Sequence, residues 1–130
     1  PLIAATAGNI GVQASAIIVQ GLANNTLGKD TFKTLFKEVS VSAASGMILS
    51  LIIFGFNLLI NHNDLMVSVT ISISLLAVIM VAAIIGTIVP IVLEKNKIDP
   101  AIATGPFITT SNDILGVLIY FAIAKALLHI

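Results

Sequence analysis

"LMVSVTISISLLAVIMVAAIIGTIVPIVL", residues 65–93, runs from end to end without one charged side chain. A helix that crosses a bilayer needs about 20 mostly apolar residues, and being helical it satisfies its own backbone N–H and C=O groups where no water can. This stretch exceeds that length, so it predicts a membrane-spanning helix that tilts, kinks or projects. Pro90 removes one backbone donor and marks the place for a kink. Outward from it lie three further apolar stretches, 2–22, 41–60 and 101–128. Each is long enough to cross, and the fold class they predict is an all-α membrane protein with four transmembrane helices.

Composition agrees. Of the 130 residues 58% are hydrophobic and 9% charged, where a soluble domain carries roughly a quarter charged residues. Net charge is zero and no Arg is present, so the clustered basic footprint of a nucleic-acid-binding protein is missing. No cysteine is present either, which removes disulfides, thiolate metal sites and cysteine nucleophiles together. The opening "PLIAATAGNIGVQASAIIVQGL" lacks an initiator Met, a basic n-region and a cleavage site. It reads as the interior of something larger, with an upstream part outside this chain.

The connections set the expected orientation. Lys29, Lys33 and Lys37 fall in the first, Lys95 and Lys97 in the third, and no Lys or Arg in "NHND", 61–64. The positive-inside rule places 29–37 and 94–99 in the cytoplasm, with 61–64 and the C-terminus outside. Within the first connection Phe32, Leu35, Phe36 and Val39 have the i, i+3, i+4, i+7 spacing of one helix face, with the lysines along a neighbouring edge. This predicts a short cytoplasmic amphipathic helix over about 28–38, lying against lipid head groups.

One carboxylate falls deep inside a predicted span. "DPAIATGPFITTSNDILGVLIYF", 99–121, opens with Asp99 as a cap and Pro100 at the first helical position, and this puts Asp113 near mid-membrane. A charge there costs about 2.5–3.5 kcal/mol on insertion scales, so it faces protein or water. Thr109, Thr110 and Gly116 stand at i−4, i−3 and i+3 from it and make its face polar and small. The first span carries a second polar stripe, Thr6, Asn9, Gln13 and Gln20, with Gly8 and Gly11 allowing close approach. Alone, such a stripe is polar glue between helices; beside a mid-membrane carboxylate it reads as an ion pathway. Ser42, Gly46 and Ser50, and also Ser68 and Ser72, read as small packing faces. His62 and His129 have no second ligand at metal spacing, a second intramembrane carboxylate is missing, and no enzyme activity is expected.

"PLIAATAGNIGVQ" and "DPAIATGPFITTSNDILGVLIYF" closely resemble the motifs that begin the second and form the fifth transmembrane helices of the MgtE family of magnesium channels. The resemblance covers essentially the whole chain as part of a five-helix domain. It implies a homodimer in a bacterial inner membrane, with Mg2+ as the transported ion, no organic cofactor, and a pathway at the subunit interface lined by the first and last spans. It implies further that Asp113 is the acidic ion-binding residue, Asn9 a polar pore-lining neighbour, and Gly8 a position whose backbone can face the ion. Typical members add an earlier span and cytoplasmic regulatory CBS domains, which fall outside this chain. Two other readings of the residues stay open: an ion- or proton-coupled divalent cation carrier, and a non-conducting structural membrane module.

Overall fold

The computed structural model describes residues 1–27, 31–60 and 64–128. The described residues form four helices, α1 (Leu2–Ala23), α2 (Thr31–Ile60), α3 (Leu65–Lys95) and α4 (Pro106–Leu128), and a 3-10 turn at Pro100–Ala103 before α4. All four are long and apolar enough to cross a membrane, so the chain is an all-α membrane domain. Lys29, His62 and His129 lie outside the described residues.

The most hydropathic helix, α3, is also the most buried, and it packs against α1, α2 and α4. Its alternating "VSVTISIS", 67–74, has the period of a strand but is helical throughout. Helix is the form in which each backbone group finds a partner within the segment. The hydroxyls of Ser68, Thr70 and Ser72 also donate back to the carbonyls of Asp64, Met66 and Ser68. The helix continues through Pro90.

Lipid tails are as apolar as leucine, so helices in a membrane associate through close packing, which small residues permit. Ser42, Gly46 and Ser50 are the only buried residues of α2, and they form the small face read from the sequence. A methyl built on Gly46 would lie 2.9 Å from Cγ2 of Ile79. At the α1–α3 crossing the contact is backbone to backbone, since a methyl on Gly86 would run into the Gly11 carbonyl oxygen. The other face of α2, with Met47, Ile48, Leu51, Ile52, Phe56 and Leu59, is exposed and apolar, as a lipid-facing surface is.

Two boundaries differ from the sequence reading. The amphipathic segment expected over 28–38 as a separate surface helix is, from Thr31 onward, the first two turns of α2. No Gly or Pro interrupts Thr31–Ser45, so the i→i−4 ladder carries on, and the 30 residues of α2 reach about 45 Å. Phe32 and Phe36 are exposed on it. The last span, expected from 101, is divided. Asp99 caps as predicted, accepting from the Ala101 N–H at 2.9 Å, but it caps the 3-10 turn. Gly105 then takes φ +69°, where a side chain would be strained. Helix α4 starts at Pro106, whose ring disfavours helical geometry in the residue before it.

Candidate ion-binding groove

Helices α1 and α4 run antiparallel, as their contacts show. Gly8 faces Thr109 and Asp113, Gly11 faces Ile108 and Asn112, and the Ser15 hydroxyl donates 2.8 Å to the Ala103 carbonyl. Gly8 brings the α1 backbone onto the acidic side chain. A methyl there would lie 3.3 Å from the Thr109 methyl carbon and 3.8 Å from Asp113 Oδ1. Asp113 is half-buried. From this crossing, α1 continues for fifteen residues to Ala23 and α4 for fifteen in the opposite direction to Leu128. At 1.5 Å per residue that is about 22 Å each way.

One turn away the two helices part into an open groove of about 680 Å3, lined by Asn9, Val12, Gln13, Gly105, Pro106, Thr109 and Thr110. The structure thus gathers four of the side chains selected from the sequence, Asn9, Gln13, Thr109 and Thr110, on one surface, with Gly8 and Asp113 at its end. Asn9, Gln13 and Thr110 are exposed. The Thr109 hydroxyl donates to the Gly105 carbonyl at 3.1 Å, so its proton is used on the backbone and its lone pairs remain to accept hydrogen bonds. The groove is therefore rich in acceptors, two side-chain amides and two hydroxyls, and the Asp113 carboxylate stands one helical turn further along α4 from Thr109.

Two selected residues lie elsewhere. Gly116 packs on α3, where a methyl would lie 3.1 Å from Cγ1 of Val78, and it borders a separate apolar pocket with Tyr120 and Phe121. Thr6 is half-buried one turn beyond Asn9 and does not line the groove.

The sequence reading passed over Asn112. It is 2% exposed, its amide reaches the Ala7 carbonyl at a long 3.5 Å, and its Oδ1 is buried without a partner. Gly11 makes the room for it, because any side chain there would collide with the Asn112 amide. Its place beside Asp113 was visible in the sequence. That it packs against Gly11, where Asp113 packs against Gly8, depends on the α1–α4 crossing.

A bundle of membrane-crossing helices that carries an acceptor-lined groove ending at one carboxylate defines a class: polytopic membrane proteins built to handle a polar or charged solute. The comparisons narrow it. Residues 1–123 match the family model MgtE, described as divalent cation transporter, and the chain belongs to that family. It is 40% identical over 130 residues to the magnesium transporter MgtE of Bacillus subtilis (strain 168), an alignment covering 99% of this chain and 29% of that protein. With the magnesium transporter MgtE of Enterococcus faecalis it shares 38% over 125 residues, 95% of this chain and 27% of that protein. With that of Thermus thermophilus the identity is 31% over 130 residues, 99% of this chain and 28% of that protein. The chain thus spans under a third of the length of these relatives.

Proposed function

We propose that this chain forms the ion pathway of a magnesium transporter of the bacterial inner membrane, working as a homodimer in which the α1–α4 groove of each subunit faces the other. The observation that carries the reading is the contact of Gly8 with Asp113 at the end of a groove lined by Asn9, Gln13, Thr109 and Thr110. Acceptors concentrated on one flank of an apolar bundle have a use if water and a cation pass there.

Magnesium sheds water reluctantly and is commonly held through its waters by one or two carboxylates. Among the described residues no three His, Cys, Asp or Glu side chains come together to hold a metal. That suits an ion that keeps its hydration shell. A two-fold axis supplies a second Asp113 from the same sequence position, and the two carboxylates balance the charge of one divalent cation. The amides, hydroxyls and the backbone at Gly8 then accept hydrogen bonds from its waters. Depth supports this reading as well. About 22 Å of helix on either side of the Gly8–Asp113 contact matches half of a bilayer 40–45 Å thick with its head groups.

Divalent flux into proteoliposomes, metal by metal, tests the proposal. Asn9→Leu replaces an acceptor with an apolar plug. A hydrogen bond to a charged group is worth about 1.5–3 kcal/mol, and each 1.36 kcal/mol is tenfold in rate, so Mg2+ flux should fall about tenfold or more with the dimer intact. Ala44→Leu, on the exposed face of α2, should leave flux unchanged. Equal losses at both positions would show that the stripe only packs.

Orientation has its own test. Single cysteines at Lys33 and Asn96 should be shielded from an impermeant thiol reagent in intact cells, and one at Asp64 labelled. The reverse pattern would invert the topology.

A further inference from the structure

Gln13 borders two spaces. On one side is the groove, and on the other is a small cavity of about 40 Å3 between α1 and α2, lined by Ile10, Gln13, Ala14, Glu38, Val41, Ser42 and Ser45. Glu38 belongs to the segment that the sequence reading assigned to a cytoplasmic surface helix. Because α2 is continuous from Thr31, its carboxylate stands instead against the flank of α1, half-buried.

The cavity has a mixed lining of four polar and three apolar residues, and its polar side chains form no hydrogen bond to another described side chain. Ser40, next to it in sequence, donates 2.7 Å to the Phe36 carbonyl, the usual outlet for a helical hydroxyl in a membrane. Ser42 and Ser45 form no such bond among the described residues, nor do Gln13 and Glu38 bond to any described side chain. Ser42 is 8% exposed. A hydroxyl on a largely buried residue that lines a cavity without a partner of its own leaves room for a ligand that supplies the missing hydrogen bonds. A cavity needs about 10–15 Å3 of room for a water's centre, and the water needs two to four polar partners, so this cavity has room for at least one water-sized ligand. All four polar side chains offer oxygen, the donor that hard cations select.

We infer that Gln13, Glu38, Ser42 and Ser45 form a second divalent-cation site, adjoining the Asp113 groove through Gln13. The cation stands at the cavity mouth against the Glu38 carboxylate. At least one water of its shell enters the cavity and is held by the two serines, while the remaining waters face outward. A fully hydrated ion is too large to enter, so the site takes a cation that keeps most of its shell. Glu38 adds a carboxylate one step from Asp113, and Gln13 serves both sites as a shared acceptor. The inference rests on the reading that the groove carries divalent cations.

Mn2+ is the probe, because its paramagnetism allows bound ion to be counted in the detergent-solubilised protein. Asp113→Ala isolates the second site. In that background Mn2+ binding should persist, Glu38→Gln should weaken it by at least about tenfold, the effect expected at a metal-holding residue, and Ser42→Ala combined with Ser45→Ala should weaken it less. Glu38→Asp keeps the charge and should retain part of the affinity, which a loss of folding would not do. In otherwise wild-type protein, Glu38→Gln should raise the Mg2+ concentration at half-maximal flux. If Glu38→Gln left Mn2+ binding in the Asp113→Ala background unchanged, or if Asp113→Ala alone removed all of it, the cavity would hold a structural water only and the second site would be overturned. The groove reading fails differently, by wild-type Mg2+ flux in Asp113→Ala.

Discussion

Asp113→Ala should reduce Mg2+ flux by about 100-fold or more, since in the proposed homodimer it removes one charge-assisted contact from each subunit, each worth roughly 1.5–3 kcal/mol. Asp113→Asn keeps the volume and loses the charge, so it should retain little more. The two effects on stability run in opposite directions. Without metal, deleting a carboxylate from the apolar bundle relieves part of its insertion cost, about 2.5–3.5 kcal/mol at full membrane depth and less for a half-buried group that keeps some hydration. The melting temperature of the variant should therefore stay level or rise. With metal, a ligand that binds only the folded state stabilises by mass action, about 2.7 kcal/mol at one hundred times its dissociation constant. Wild type should gain that increment across a magnesium series, and Asp113→Ala should lose all but what other sites provide. Wild-type flux together with the full magnesium-dependent shift in Asp113→Ala would remove Asp113 from the pathway.

Gly86→Ala should be the most damaging small substitution in the bundle. Its methyl would meet the Gly11 carbonyl oxygen, and backbone has no rotamer with which to give way. Overpacking a tight core costs ~1–3 kcal/mol, and this case belongs at the upper end or beyond it. Functional loss should accompany the instability, because the residue displaced is Gly11, whose neighbours on α1 face Asn112 and Asp113. Gly55→Ala is the matched control. Nothing lies within 4 Å of the added methyl, and helix propensity favours alanine by about 1 kcal/mol, so its melting temperature should rise. Thermal melts in detergent compare the two directly. Equal stability in both would mean that α1 and α3 do not cross at this close contact.

Much of the architecture was legible because lipid imposes one dominant constraint. An apolar run such as 65–93 has to close its own backbone hydrogen bonds, so length and hydropathy reveal the helix even where "VSVTISIS" has the period of a strand. The Ser42–Gly46–Ser50 face was legible for a related reason: close packing in lipid favours small residues at a helical period. The beginning of α2 was harder to read. Periodicity shows that 31–38 is amphipathic, but a surface helix and the exposed start of a longer helix have the same period. Only the absence of a break before Gly46 separates them. The last span has the converse ambiguity, since "DPAIATGPF" offers two helix starts and the Gly105–Pro106 step decides between them.

Sequence alone determined that the chain has helices able to cross a membrane, that Asp113 is an exceptional residue within them, and that Asn9, Gln13, Thr109 and Thr110 lie on polar helix faces. Those conclusions depend on transfer costs and helical spacing, which are local properties. Tertiary structure decided which polar groups meet. Gly8 and Asp113 are far apart in the chain and come together because α1 and α4 cross antiparallel at positions without bulky side chains. Gly116 left the polar set because α4 packs it against Val78 of α3, and Asn112 turned inward because Gly11 of α1 makes room for it. Glu38 moved from a separate surface helix to the flank of α1 because α2 is continuous from Thr31 into its apolar run. Helical periodicity assigns a residue to a face, but what that face meets is set by how closely the backbones approach, and here glycine at positions 8, 11, 46 and 86 sets that approach.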